Sequence, residues 1–213
     1  MESKKTNIWR IILILIAIIF IALLISIFRK FMILSKLENL SKDALEKDNY
    51  YVQTYALKEN SIEILKSYNK DSKYLSMLET MNKQTGEKGK LTVYSDNEDK
   101  ISIIETQQEK IAILGDKTVG GKIGVNAYAS YGQGVWSKLQ LAITSDIGTE
   151  NIGNKECYVI NSVNGWKKWV NKETGLILRE CNNGDVTDFN YEFDIVKDEN
   201  IMKPDTSDCK IQN

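Results

Sequence analysis

The sequence predicts an α+β protein: one N-terminal transmembrane helix followed by a domain built on an antiparallel sheet. Three observations carry this. Ile11 to Phe28 is an unbroken apolar run; the hydrophobic period changes from 3.6 to 2 after Asn49; and the remaining chain falls into short alternating segments separated by polar turns, two of them Asn-Gly pairs at Asn164-Gly165 and Asn183-Gly184.

The apolar run has no charge, Pro or Gly, and Ser26 is its only polar side chain, so every face of the helix is suited to lipid. At a rise of about 1.5 Å per residue it covers roughly 27 Å, close to a hydrocarbon core of about 30 Å, and Trp9 and Phe31 to Leu34 extend it. Arg10, Arg29 and Lys30 flank it at headgroup depth. Lys4, Lys5 and Arg10 also resemble the basic start of a signal peptide. The run is longer than a usual h-region, however, and Ser26-Ile27-Phe28-Arg29-Lys30 offers no small-x-small cleavage site, so an uncleaved anchor is expected. The basic residues on its two sides balance, Lys4, Lys5 and Arg10 against Arg29, Lys30 and Lys36, and charge alone leaves the orientation open.

The chain holds 28 basic and 29 acidic residues; six basic and one acidic fall in 1–36, leaving residues 37–213 with a net charge of −6. That mild acidity argues against a nucleic-acid partner. There is no His, which removes Ser-His and Cys-His nucleophile pairs, imidazole acid/base chemistry and most zinc sites. Cys157, Cys181 and Cys209 are too widely spaced for a thiolate knuckle or a C-x-x-C pair. They read either as one disulfide with a free thiol or as three reduced thiols. In a simple meander the Trp166 strand separates Cys157 from Cys181, so Cys209 is the expected partner in any disulfide. Neither a cofactor nor a metal is expected.

After the anchor, Ile33, Leu34, Leu37, Leu40, Ala44 and Leu45 recur at helical spacing and predict an amphipathic helix that continues from the span and ends near Asp48-Asn49. Strands follow from Tyr50, at Ile62–Leu65, Lys73–Glu79, Leu91–Tyr94, Ile101–Glu105 and Lys110–Leu114. Thr118 to Gly153 breaks the pattern with repeated Gly and predicts a flap or a long connection, with Val135 to Thr144 as a short helix or strand. Gly115 to Ile123 fails as a phosphate loop, because Asp116 stands at its first Gly and Ile123 at its hydroxyl position. Glu156–Val163, Trp166–Asn171, Gly175–Asn182 and Val186–Val196 complete the strands, the last with Phe189, Tyr191, Phe193 and Ile195 on one face. Trp166-Lys167-Lys168-Trp169 places its two indoles on opposite faces of a strand, so they cannot form one base-stacking platform. Asp96, Glu98 and Asp99 lie in a turn without the Gly and closing Glu of a calcium loop.

Asn154-Lys155-Glu156-Cys157-Tyr158-Val159-Ile160, then Trp169-Val170-Asn171-Lys172-Glu173-Thr174-Gly175-Leu176-Ile177-Leu178-Arg179, Tyr191-Glu192-Phe193 and Lys203-Pro204-Asp205 resemble, in this order, motifs of the lipoprotein-carrier (LolA-like) superfamily. Asn49 to Tyr55 is similar to the first strand of those proteins, which a helix also precedes. The resemblance spans most of 37–208 and is weakest over 115–150. It implies a curved antiparallel half-barrel covered by helices, with an apolar cup that holds acyl chains in carriers and serves regulation in envelope sensors. Two departures stand out: the retained anchor, which argues against free shuttling between membranes, and Ile177 where the hairpin usually has Pro. Three Arg against 25 Lys and a single Pro fit an AT-rich genome and a bacterium without an outer membrane.

The domain organisation expected is an anchor over 1–36 and an extracytoplasmic half-barrel over 37–213, in the cell membrane with Met1 inside. The first functional expectation is a non-enzymatic domain that binds an amphiphile, a lipid or lipoprotein acyl chain. Tyr51, Tyr74, Met77, Ile101, Ile103, Trp169, Tyr191 and Phe193 are its candidate lining; the same residues serve equally as ordinary core. The alternative is an interaction or sensor domain with a collapsed core that contacts an envelope protein. The partners expected are the bilayer through Ile11–Phe28, a lipid or lipoprotein, and an envelope protein.

Overall fold

The computed structural model describes residues 2–115 and 134–212. A single helix, α1 (Glu2–Leu45), runs without a break from the apolar run into the amphipathic segment, as the periodicity predicts. Every side chain from Trp9 to Ser26 is exposed; from Ile27 onward one stripe turns inward, and Leu34, Leu37 and Ser41 are buried. One helix therefore has two environments along its length. Its first half is long and apolar enough to cross a membrane.

Twelve strands form one sheet among the described residues. β1 (Asn49–Leu57), β2 (Ser61–Lys70), β3 (Lys73–Asn82), β4 (Lys88–Ser95), β5 (Lys100–Glu105) and β6 (Lys110–Leu114) make one antiparallel meander. After α2 (Val135–Thr144), a second meander contains β7 (Ser145–Ile152), β8 (Lys155–Ser162), β9 (Trp166–Asn171), β10 (Ile177–Asn182) and β11 (Asp185–Phe193). The two meanders join where β1 pairs with β11, and β12 (Lys210–Gln212) closes the far edge in parallel with β6. The resulting order is β12-β6-β5-β4-β3-β2-β1-β11-β10-β9-β8-β7. The fold class is the one expected: an N-terminal helix followed by a curved, mainly antiparallel open sheet, with helices on one face.

Two details differ from the sequence reading. Val135–Thr144 is a helix, one of the two forms expected, but Ser145–Ile152, expected within a flap or long connection, is the edge strand β7, in which Gly148 breaks the strand pattern. The rest of that segment, 116–133, lies outside the described residues. Ile195 falls beyond β11, because Asp194 adopts a left-handed φ of 61° that turns the chain off the sheet. Of the two cysteine readings, three free thiols is the one found, and β9 lies between Cys157 on β8 and Cys181 on β10, as expected.

Candidate functional site

Alternation along the strands divides the sheet into a helix side and an opposite side. On the helix side of β8–β11 the strands present Ile160, Val170, Ile177 and Phe189, and α1 inserts Leu34 and Leu37 among them, with Ala142 of α2 completing the cluster. Further along α1, Tyr50, Val52 and Leu176 form a second small cluster with Ala44, Tyr191 and Phe193 at its margin.

The β9–β10 turn explains how a helix approaches this closely. Asn171 Oδ1 accepts hydrogen bonds from the backbone of Glu173 (2.8 Å) and Thr174 (2.9 Å), and Thr174 Oγ1 accepts one from Leu176 N. The turn ends on Gly175 at φ 67°, where a Cβ would lie 2.3 Å from Leu37 O and 2.7 Å from Ser41 N. Only a residue without a side chain admits the helix backbone here. The Asn-Lys-Glu-Thr-Gly run is thus the seat of α1. Polar contacts fix the helix at both ends: Lys30 Nζ donates to Ser145 O (2.6 Å) and Asp146 Oδ1 (3.1 Å), and Lys47 pairs with Asp194 (2.7 Å). Between them Glu38 accepts from Lys138 of α2, and this bond holds the Glu38 carboxyl below its ordinary range.

Across β2–β5 the helix side carries hydroxyl-rich rows beside an apolar one, Leu65-Leu78-Leu91-Ile104. Ser67, Ser76 and Ser102 occupy one cross-strand row and are buried, with Ser67 and Ser76 hydroxyls 3.1 Å apart; Asn69, Tyr74 and Ser95 make a parallel buried row. Rows rich in hydroxyls suit an acyl chain poorly.

The opposite side of β1–β6 has its own cover, a C-terminal strap over 194–212. Asn49 starts it by exchanging two hydrogen bonds with the Val196 backbone (3.0 and 2.9 Å), in imitation of a strand pair. Val196 and Ile201 then pack on Tyr94, Ile101, Ile103 and Ala112, with Tyr51, Tyr68, Leu75 and Cys209 around them. Ion pairs Lys70–Asp198 (3.0 Å), Lys203–Asp99 and Lys110–Asp208 (2.8 Å) tie the strap to the sheet. Burial, then the neighbouring Tyr68 and Glu192, pushes the Tyr51 phenol up to about 12; burial and the bond to Asp96 do the same for Tyr94. Asp96 accepts from the backbones of Asp99 and Glu98 and from the Tyr94 hydroxyl, which holds its carboxyl down at about 2.

Beyond the strap, this side opens into a groove of about 440 Å³. Ile62, Ile64 and Met81 supply its apolar lining, while Glu79, Lys90 and Glu105 supply charge. Among the described residues no cluster of acidic or thiol side chains is arranged to hold a metal.

The eight residues proposed from alternation do not come together. Tyr51, Met77, Ile101, Ile103 and Trp169 lie on the strap side, whereas Tyr74, Tyr191 and Phe193 lie on the helix side. Within the first group Ile101 and Ile103 are buried under the strap, and Trp169 lies on the other meander, donating its indole N–H to Glu150 (2.7 Å). As expected, Trp166 faces the other way, toward the α1 cluster. The strap role of Val196 and Ile201 was missed: alternation carried Val196 into the last strand, which ends at Phe193, and Ile201 stands in irregular chain where only its apolar character in a polar tail marked it.

No protein-family profile matches the chain, and no curated protein sequence matches it. Among solved structures it is similar to a crystal structure of MucB, at 11% identity and a TM-score of 0.38, over 83% of this chain and 64% of that one. It is also similar to MucB in a complex with MucA(peri), at 11% identity and a TM-score of 0.38, over 84% of this chain and 62% of that one. The chain thus spans less than two thirds of the length of either structure.

Proposed function

We propose that this protein is a membrane-anchored, non-enzymatic interaction module of the cell envelope, with Met1 inside and the sheet domain outside the cytoplasm. The observation that carries this reading is the filled helix side: the helix that serves as anchor also occupies the apolar face in which a carrier would hold its cargo, with Leu34 and Leu37 fully buried. A ligand entering there must expel α1, at a cost of about 2–5 kcal/mol for each buried leucine withdrawn. Contact with a partner therefore falls to the outer surfaces of the sheet. The absence of His and the burial that pushes the Cys157 thiol up weigh against a hydrolytic or thiol enzyme.

A second reading, binding of an amphiphile, draws on the strap-side groove with Ile62, Ile64 and Met81. About 0.8 kcal/mol per buried methylene would favour an acyl chain there. Photo-crosslinkers placed at Asn190, exposed on the side of the sheet away from α1, and at Met81, in the groove, separate the two in living cells with the full chain. Discrete protein adducts at Asn190 are the expected result; adducts to lipid alone, concentrated at Met81, would replace the first reading with the second.

A further inference from the structure

We infer that the domain is seated directly on the bilayer, the end of α2, the β8–β9 turn and edge strand β7 forming a lipid-contacting collar around the base of α1. The inference rests on the anchor reading of α1 and goes beyond it, because an anchor alone permits a domain that stands clear of the surface on a linker.

The geometry leaves no room for a linker. From Trp9 to Phe28 an α-helix rises about 30 Å, the thickness of the hydrocarbon core, so Arg29 and Lys30 enter the headgroup layer. The domain already touches α1 at this level. Ile27, within the apolar run, packs against the cluster that holds Ile160 and Val170. Lys30 reaches the α2–β7 junction at Ser145 and Asp146. Helical side chains lean toward the N-terminus, so this junction lies level with the backbone of Lys30 or on its membrane side. Val163 N donates to Thr144 O at 3.1 Å, which brings the β8–β9 turn to the same height.

The residues exposed at this height suit lipid. Val163 is 77% exposed and Ile143 58%, and on α1 itself Phe28 and Met32 are more than half exposed. Asp146, the acid on β7 nearest the span, is paired with Lys30. Between α1 and β7 a pocket of about 410 Å³ is lined by Ser26, Arg29, Ile33, Ile147 and Tyr158 together with the Lys30–Asp146 pair, so that among the described residues Arg29 is its one unpaired charge beside hydroxyls and hydrocarbon, a mixture that matches a lipid headgroup region. Continuity with the span selects the occupant: the molecules at this depth are the lipids that surround α1. The β9–β10 turn supplies the contrast. It meets α1 at Leu37 to Ser41, about 10–16 Å beyond Lys30 along the helix, and Glu173 at its tip is exposed.

The test uses the full chain with C181S and C209S, the buried Cys157 being kept, and a bimane label on V163C, I143C, E173C or I19C. Each is reconstituted into phosphatidylcholine vesicles with and without brominated acyl chains. The expected result is that labels at 163 and 143 lose severalfold more emission to brominated lipid than the label at 173, and approach the loss at 19. Labels at 163 and 143 open to aqueous iodide, with 19 still quenched by lipid, would overturn the seating and leave the anchor intact. Labels at 163 and 143 shielded from both quenchers would point to protein in place of lipid and overturn it equally. A label at 19 insensitive to brominated lipid would overturn the anchor and the seating together. I143C keeps the test decisive should V163C not fold.

Discussion

The two covers of the sheet use opposite physics. On the helix side of β8–β11, α1 and α2 bury fully apolar side chains, and the helix backbone meets Gly175 with no space for a methyl group. On the opposite side of β1–β6, the strap contributes Val196 and Ile201 and otherwise relies on surface ion pairs, an Asn side chain acting as a strand and a three-residue parallel β12. The first is a packed core that includes α1; the second is a peptide tied over a preformed face. The difference predicts that the two halves respond to different perturbations. The tryptophans beyond the apolar run, Trp136, Trp166 and Trp169, all lie in the second meander or in α2, so indole fluorescence follows the helix half. Tyr51, Tyr68 and Tyr94 report on the strap half.

The largest effect is expected at Gly175. G175A adds a methyl where φ is 67° and Leu37 O lies within 2.3 Å, so it should cost about 3 kcal/mol or more, read as a lowered denaturation midpoint in indole fluorescence. Equal stability of G175A would mean that α1 does not seat there. Next is I201A, which removes a buried strap residue; about 2 kcal/mol is expected, at the low end for such a deletion because the strap can settle into the space. Its loss should appear in tyrosine signals ahead of indole signals, and simultaneous loss would deny the two-part description.

A smaller and reversible effect follows from pH. Tyr51 and Tyr94, raised to about 12 from an ordinary value near 10, contribute stability that is complete below pH 10 and is lost as pH rises toward 12. The strap half should therefore loosen first in alkali, with tyrosine ionisation accompanying it. Asp96, held at about 2, acts at the other end, with stability present above about pH 4 and lost as pH falls toward 2. The smallest expected effect is that of K110M. It breaks an exposed, solvent-screened pair to Asp208 and should cost less than either substitution above, and less still in high salt, read from the exchange of β12 amides.

Much of this architecture was legible in the residues. The apolar run and the amphipathic stripe after it gave α1 to its end, and alternation with Asn-Gly turns gave most strands. What periodicity could not convey is pairing between distant strands: nothing local in Asn49–Leu57 names Asp185–Phe193 as its neighbour. For the same reason, eight apolar positions chosen by alternation scattered over two faces, since alternation assigns a face only within one strand and leaves the cover of each face unknown. The turn motif Asn171 to Gly175 was visible as a pattern; that it receives a helix backbone emerges only from the tertiary structure. The strap is irregular chain, and irregular chain carries no period to detect.

The central claim is that the apolar face is filled by α1, the helix that carries the protein's own apolar run. Amide hydrogen exchange on the full chain in lipid nanodiscs tests it most directly, with and without added palmitate. The account predicts that amides of Phe31–Ala44 exchange as slowly as those of β8–β11 and are unchanged by the fatty acid. Rapid exchange over Phe31–Ala44, or exchange that palmitate accelerates as it displaces the helix, would contradict it.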